Sequence, residues 1–505
     1  MNEIKAGVLL SYVNLALGCI VPIFYTPIML DILGQAEYGL YSLSQSVTSY
    51  LSLLNLGLGT AIGRYVAKYR AEGNLIGTQR LLGLFITLYS CASVLVCIFG
   101  VGMTVFADNF FAKGLTSNEI ARLRVLLLIM TLNVATALPI STFSSVLSAY
   151  EEFIFSKSFA IFGTVAVPVA NLILLYLGNG SIGMAVFALV FQIVTGLVYI
   201  IYCAKKLGIV PSFKNMPLGL LKELGSFCFF VFLSMIVDML YWSTDKVLIG
   251  AVLGSVAVAI YNVGGVFTSI MQNMAHAISN VFTPRIMMMA SKKEQSMDEI
   301  SDILIRIGRL QSYIVCFIVS GYFVFGQRFI VVWAGEGYEK AFYIALMTMI
   351  PLAVPLIQSV AFSTITAQNK HRFRAIVYAI IAVANVISTY LVLPYWGIIG
   401  AAVCTAVAFL LGNGIIMNIY YHRVIKLNIP GFWKSVVRIL LLSVALSVAG
   451  WLVVNWVVTS GSIWVLLVGA AVYSLIFWPL NWCICMNQYE KDLFLGFLKK
   501  GSEKQ

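Results

Sequence analysis

Polar side chains recur at helical spacing inside stretches that are otherwise apolar. Ser42, Gln45, Ser49, Ser52, Asn55 and Thr60 follow one another at steps of three to five residues, and so do Asn262, Gly265, Ser269, the pair Gln272 and Asn273, His276 and Asn280. Such steps line up along one face of a helix. Asn14, Gly18 and Tyr25 stand ahead of the first stripe as Ser234, Asp238 and Asp245 stand ahead of the second. An ionisable group inside an apolar span is a functional candidate by default. Asp238 and Asp245, seven residues apart on one face, are therefore candidate ion-coupling residues. Asp238 could equally meet a sugar hydroxyl or pair with Lys246. Candidate cavity-lining residues are Asn14, Ser42, Gln45, Ser49, Ser52, Asn55, Ser234, Asn262, Ser269, Gln272, Asn273 and His276, with His276 read as a hydrogen-bonded wall residue and not a proton relay. The competing reading of each stripe is a packing seam, since small and hydroxyl residues also bring helices close in lipid.

Arg64 closes the first striped stretch and Arg285 the second. A guanidinium is a planar, permanently charged fork that matches phosphate oxygens, so these two are candidate pyrophosphate contacts; the alternative is that they anchor helix ends to lipid headgroups. The nine Cys lack zinc or redox spacing, and no glycine-rich loop runs into Lys-Ser or Lys-Thr. No catalytic residue, metal or cofactor is expected, ATP is not expected to act directly, and Na+ or H+ remain open as coupling ions.

The elements that position these residues follow from composition. Of 505 residues, 61% are apolar and 10% charged, and mean hydropathy is +0.95. A soluble domain is about half apolar and a quarter charged, so soluble folds are excluded and little chain is left for an extramembrane catalytic domain. The expected fold is an all-α polytopic membrane protein of about fourteen transmembrane helices. The runs lie near 7–30, 38–62, 81–107, 123–147, 158–178, 182–203, 224–249, 255–282, 310–332, 342–366, 375–393, 398–420, 437–457 and 463–484. With the N-terminus inside, 26 of the 32 Lys and Arg fall in inner segments, the asymmetry expected of cytoplasmic loops. Both termini are then cytoplasmic, and the net charge of +12 points to topology and anionic lipid, not nucleic acid. The first run, without a small-residue cleavage signature, reads as a retained span.

The chain also repeats itself. LGQAEYGLYSLSQSVTS at 33–49 lies over LGSVAVAIYNVGGVFTS at 253–269, an offset of 220, and GSIGMAV at 180–186 over GIIGAAV at 397–403, an offset of 217. This predicts two six-helix lobes, 1–205 and 206–425, related by an axis along the membrane normal, with 426–505 adding two helices and a cytoplasmic tail. Four spans polar on one face and paired by the repeat point to a water-filled cavity. Pro22, Pro139, Pro168, Pro351 and Pro355 lie inside spans and are candidate kinks or hinges.

Residues 33–69, with a Leu-Gly, a Tyr-Gly and a Gly-Leu-Gly leading to Arg64-Tyr65, resemble the region around the second helix of bacterial polysaccharide-unit flippases. TDKVLIGAVLGSVAVAIYNVG at 244–264 resembles that family's passage from helix seven to helix eight. The family belongs to the multidrug, oligosaccharidyl-lipid and polysaccharide exporter superfamily. The resemblance implies an alternating-access flippase that moves undecaprenyl-pyrophosphate-linked oligosaccharide outward across a bacterial plasma membrane for surface polysaccharide such as O-antigen or capsule. The first, second, seventh and eighth helices would line the cavity, Arg64 and Arg285 would contact the pyrophosphate, and Asn14, Gln45, Asp238, Gln272 and Asn273 would face the lumen. Its partners would be the lipid-linked oligosaccharide, membrane lipids and other polysaccharide-assembly membrane proteins, around a monomeric transport unit. This chain departs from a strongly basic chamber, since its embedded interior is mostly neutral with two acids.

Three rivals stay open. An ion-coupled drug or metabolite antiporter of the same superfamily would use Asp238 and Asp245, and an exporter of another lipid-linked glycan precursor would share the architecture. A polyprenyl-linked glycosyltransferase or polymerase would need carboxylates in a sizeable loop. The longest connection, 283–309, has about 27 residues and no Asp-x-Asp, so an enzyme is not expected.

Overall fold

The structure, a computed structural model, describes residues 3–291, 297–368, 370–457 and 462–492. In chain order the α-helices are α1 (Glu3–Ser49), α2 (Leu58–Ala71), α3 (Leu75–Phe111), α4 (Ser117–Ala149), α5 (Phe153–Tyr176), α6 (Gly180–Lys206), α7 (Leu220–Trp242), α8 (Thr244–Leu253), α9 (Ser255–Ser291), α10 (Met297–Ala334), α11 (Lys340–Ile357), α12 (Ser359–Ala367), α13 (His371–Phe409), α14 (Met417–Arg423), α15 (Ile429–Val457) and α16 (Ile463–Ile484). The described residues contain no strand. Large apolar side chains such as Phe24, Leu441, Trp456, Trp464 and Leu475 stand more than half exposed, the surface of a protein whose solvent is lipid.

Eleven described stretches are long and apolar enough to cross a membrane. Two of them, Ala6–Ala71 with 66 residues and Arg372–Arg423 with 52, extend about 100 and 80 Å at 1.5 Å per residue, far beyond a hydrocarbon core of about 30 Å. Each is broken at a glycine, Gly34 (φ 73°, ψ 170°) and Gly397 (φ 59°, ψ −150°). Counting each as two spans gives thirteen among the described residues, and α7 adds a shorter apolar stretch, Val231–Trp242.

The repeat is written in the backbone as well. Gly34 pairs at offset 220 with Gly254 (φ 89°, ψ −177°), which separates α8 from α9. Gly180 (φ 56°) pairs at offset 217 with Gly397. Positive φ with an extended ψ is essentially closed to residues that carry a Cβ, so Gly34 and Gly254, which align in the sequence, make the same reversal, and Gly180 and Gly397 share a positive φ.

Met1–Asn262 with Asn385–Ala401 form one compact unit, and Val263–Ala384 with Ala402–Gln505 a second. In the first, α3 lies on α4, α4 on α6, and α1 on α5, around fully buried Ile62, Val66, Leu82, Phe85, Tyr89, Val146 and Cys203. A capping box opens α4, with Thr116 N–H donating to Glu119 Oε2 at 2.8 Å and Glu119 N–H to Thr116 Oγ1 at 3.4 Å. Glu37 of α1 satisfies one of the first amides of α6 by accepting from Ser181 N–H (2.8 Å), and accepts from Ser181 Oγ as well (2.9 Å), while Arg122 of α4 donates to its other oxygen at 2.8 Å. This unit also carries α7 and α8, packed close: a Cβ on Gly57 would stand 2.3 Å from Val231 Cγ1 of α7, and one on Gly250 of α8 would stand 2.7 Å from Leu43 Cδ1 of α1.

In the second unit α10 packs on α15 and α11, around Tyr313, Val324, Ile439 and Phe477. Arg309 of α10, 8% exposed, is held by Glu490, 1% exposed. Nε donates to Oε1 at 2.6 Å and Nη2 to Oε2 at 2.9 Å, while the Ser435 and Cys485 carbonyls take two further donors.

The helix breaks do not fall at the prolines singled out in the sequence. Pro22, Pro139 and Pro168 lie within α1, α4 and α5. The interruptions come instead between α1 and α2, where a 3₁₀ turn (Tyr50–Asn55) ends in left-handed Leu56 (φ 51°) and Gly57 (φ 67°); at Gln358, just after Pro351 and Pro355; and in a π-helical segment, Leu410–Ile416. The connection expected over 283–309 is mostly helix, with α9 reaching Ser291 and α10 starting at Met297. Hydropathy marks the hydrocarbon zone, and these helices continue past it as polar ends.

Candidate functional site

In the first unit, the stripe on α1 divides into an outward-looking set and a packed set. Gln45 is exposed, as are Thr60 and Arg64 on α2 and Ser234 and Asp238 on α7. Ser42 is buried, and its Oγ accepts from Asn262 Nδ2 at 3.1 Å, while Tyr38 Oη takes the same amide nitrogen at 2.6 Å. Ser42 and Asn262 are equivalent positions of the repeat, touching each other across the 220-residue offset. Asn262 Oδ1 in turn accepts from Lys246 Nζ at 2.6 Å. One residue back on both helices, Tyr261 Oη donates to Asp245 Oδ2 at 2.8 Å, and Asp245 is 2% exposed. Below this, Ser49 Oγ donates to Ser243 Oγ at 3.0 Å and Tyr50 meets Thr244 at 2.5 Å.

The remaining stripe residues satisfy themselves locally or hold neighbours. Ser52 Oγ donates to the Ser49 carbonyl at 2.6 Å, Asn55 Oδ1 accepts from Tyr89 Oη at 2.8 Å, and Asn14 Oδ1 accepts from Thr164 Oγ1 at 2.8 Å. Hydroxyls that return to a carbonyl three or four residues back spare the membrane interior an unsatisfied donor. Asn55 sits on the last residue of the 3₁₀ turn, so its bond to Tyr89 of α3 braces the break itself.

In the second unit, Ser269, Asn273, His276 and Asn280 are exposed on α9 and Gln272 is half-buried. They form an open polar face on an apolar helix. The opposite side of α9 is tied down by Gln311 of α10, fully buried, whose Nε2 donates to Ser279 Oγ at 2.5 Å and whose Oε1 accepts from Ser359 Oγ at 3.0 Å. The Arg285 side chain lies outside the described residues.

Sequence reasoning did not find Tyr38, Lys246 as the partner of Asn262, Gln311, or the Arg309–Glu490 pair. Tyr38 and Gln311 sit in apolar runs where only their polarity flags them, and Lys246 carried a signal, as a lysine inside a span, that was assigned to Asp238. No cluster able to hold a metal ion occurs among the described residues. Outside the spans, Glu152 has its carboxyl drawn below its ordinary value. Burial pushes it up, but hydrogen bonds from Tyr202 Oη (2.7 Å) and Lys206 Nζ (2.9 Å), with the ammonium's charge, outweigh that.

Solved structures share this fold. The fold superposes on the lipid II flippase MurJ in an inward closed conformation with a TM-score of 0.71, covering 94% of this chain and 98% of that one at 15% identity. The Vibrio cholerae MATE transporter VcmN in its bent form superposes at 0.53, covering 84% of this chain and 98% of that one at 16% identity. In sequence the chain is 21% identical over 403 residues to a Shigella flexneri protein named "Putative O-antigen transporter", covering 77% of this chain and 91% of that one. It is 22% identical over 436 residues to the uncharacterized membrane protein EpsK of Bacillus subtilis, covering 83% of each. The family described as Polysaccharide biosynthesis protein matches residues 4–290, a stretch that holds α1 and α2, their repeat equivalents α7 to α9, and every exposed polar residue described above; the chain belongs to that family.

Proposed function

We propose that this protein is a flippase that carries an undecaprenyl-pyrophosphate-linked oligosaccharide from the cytoplasmic to the outer leaflet of a bacterial plasma membrane, supplying cell-surface polysaccharide synthesis. The observation that carries this reading is that each unit has its own exposed polar face on the family-matched segment: Gln45, Thr60, Ser234 and Asp238 in the first, and Ser269, Asn273 and His276 in the second. Membrane-embedded polar faces, neutral apart from the Asp238 carboxyl, suit sugar hydroxyls, and lipid offers such groups no partner. Arg64, exposed at the end of the same face, receives the pyrophosphate at the cytoplasmic side, and Arg285 is proposed as its counterpart. The lysine and arginine bias supports both termini in the cytoplasm.

Transport follows from alternating exposure of these faces to the two leaflets. A dianionic headgroup moving outward crosses a field worth about 2.3 kcal/mol per charge per 100 mV, so membrane potential can drive the step; Na+ or H+ acting at Asp238 or Asp245 is the other drive. The chain acts without catalytic chemistry of its own in this reading.

The test is reconstitution into liposomes with a fluorescent polyprenyl-pyrophosphate oligosaccharide. Movement that requires the protein and slows about tenfold or more in Arg64→Ala supports the reading, a charge-assisted hydrogen bond being worth about 1.5–3 kcal/mol. If no lipid-linked sugar moves and a small cation is exchanged instead in a way that Asp238→Asn abolishes, the antiporter reading replaces it.

A further inference from the structure

We propose that residues 208–218, which join α6 to α7, form a strap that is seated along α3 and turns its outer side into the cytoplasmic leaflet, where it binds the boundary between acyl chains and anionic headgroups. This lipid-binding surface does not depend on what the protein carries.

The seat is built on three successive turns of α3. Hydropathy leaves 204–223, between the sixth and seventh apolar runs, as an inner connection, yet the chain does not hang free there. Ile209 N–H donates to the Cys203 carbonyl at 3.0 Å and folds the chain back from the end of α6. Gln79 of α3 holds it twice: Nε2 donates to the Gly208 carbonyl at 3.2 Å, and the Gln79 carbonyl accepts from Ser212 N–H at 2.9 Å. One turn further along α3, Gly83 supplies a notch, since a Cβ there would stand 2.1 Å from the Ser212 carbonyl oxygen. A turn beyond that, Thr87 Oγ1 meets Met216 Sδ at 3.9 Å. Ile209 is buried in the core that holds Leu82, Phe85 and Tyr89, and Leu224 and Cys228 of α7 join the same core.

The strap therefore rises along α3 instead of lying below it. Thr87 is six residues into the apolar run that begins near 81, about 9 Å at 1.5 Å per residue, and the hydrocarbon core is about 30 Å thick. Irregular backbone survives at that level where protein answers its polar groups. The bonds to Gln79 do part of this, and Pro211 and Pro217 bring no N–H that needs a partner. What the strap turns outward is apolar: Val210 is 55% exposed, Phe213 58% and Leu218 60%.

Charge names the partner. Lys206 is answered inside the protein by Glu152 at 2.9 Å. Lys205 and Lys214 are exposed and enter no ion pair among the described residues. Large apolar side chains flanked by such lysines fit a membrane surface that carries anionic headgroups. Only Pro217–Gly219 then separate the last contact with α3 from Leu220, where α7 begins, so the start of α7 is placed by α3 and by the leaflet together.

The experiment puts the photoreactive residue p-benzoylphenylalanine in place of Phe213 or Leu218 in the full chain, with exposed Glu72 at the turn from α2 to α3 as the control position. Each protein is reconstituted in vesicles of phosphatidylcholine mixed with phosphatidylglycerol, irradiated and read by mass spectrometry. Phospholipid adducts are expected at 213 and 218 and few at 72. Phosphatidylglycerol should be enriched among them over its share of the vesicle, and Lys214→Gln should lower that enrichment about fivefold, the effect of one lysine near an anionic surface. Adducts to another segment or to a second copy in place of lipid, adducts at 72 as frequent as at 213, or no enrichment of phosphatidylglycerol overturns the proposal. The seat is tested separately by Gly83→Ala, which should speed amide exchange over 208–216 and leave α4 unchanged; equal exchange in wild type and variant overturns the seating on α3. No transport step enters either measurement, so their outcome is independent of the flippase reading.

Discussion

At the scale of single residues, polarity inside the spans is spent in two ways. Ser42, Asn55 and Asn14 bind other helices, while Gln45, Asp238, Asn273 and His276 look outward. The same residue type does either job according to which side of its helix meets a neighbour. A titrating group outside the spans gives a direct test of such wiring. The folded-state carboxyl of Glu152 sits below its unfolded value, so its contribution to stability is complete above about pH 4.5 and is lost as pH falls through the lower folded value. Between about pH 5 and pH 3 the melting temperature in detergent should fall further for wild type than for Glu152→Gln. Equal slopes would show that the Tyr202–Lys206–Glu152 contacts contribute nothing that titrates.

At the scale of elements, the two repeat copies share their reversals and differ in their breaks. Gly34 and Gly254 turn alike, but the break at Leu56–Gly57 has no counterpart in α9, where the equivalent positions His276 and Ala277 are helical. In the second unit the irregular points are Gln358 and the π-helical Leu410–Ile416, and they are joined: Gln358 Nε2 donates to Asn418 Oδ1 at 2.8 Å, Asn418 Nδ2 to the Asn413 carbonyl at 2.7 Å, and Trp433 Nε1 to Asn418 Oδ1 at 2.9 Å. In lipid a broken helix must find partners for its freed backbone groups, and Asn418, held by Gln358 and Trp433, provides one for the Asn413 carbonyl. The break after α1 depends on glycine. A Cβ at Gly57 would meet Val231 Cγ1 at 2.3 Å while φ is +67°. Gly57→Ala should therefore cost about 1–3 kcal/mol in detergent unfolding, and adding Val231→Ala should return only the share due to the clash. Full recovery in the double variant would mean that the left-handed backbone carries no strain.

At the scale of the whole molecule, the last described residues are integral to the second unit. Glu490, beyond α16, lies fully buried against Arg309 of α10, whose Nη1 also reaches the Ser435 carbonyl of α15 at 2.6 Å. Removing one member of a buried pair leaves the other charge unpaired, at about 3–5 kcal/mol, whereas replacing both by apolar residues is often close to neutral. Glu490→Gln is expected to lower the melting temperature sharply and to make the chain beyond α16 accessible to protease, while Arg309→Met with Glu490→Met recovers most of both. A double variant as unstable as the single one would show that the hydrogen bonds to Ser435 and Cys485, and not the charge pair, hold this segment.

The sequence by itself determined the membrane class and the all-helical, many-span fold, because both rest on a local or periodic property, the apolar length needed to cross about 30 Å of hydrocarbon, and it marked glycines at which the backbone takes positive φ. It also placed the polar stripes on helix faces, since a period of 3.6 assigns residues to a face without further information. Only the tertiary structure decided what those faces meet. Ser42 looked no different from Ser269 in the sequence, yet one is buried against Asn262 and the other exposed. The pairing of Lys246 with Asn262, of Gln358 with Asn418 and of Arg309 with Glu490 joins residues 16, 60 and 181 positions apart. Periodicity fixes a direction around one helix axis, but a partner depends on which second helix lies in that direction, and that is settled by the packing of the chain as a whole.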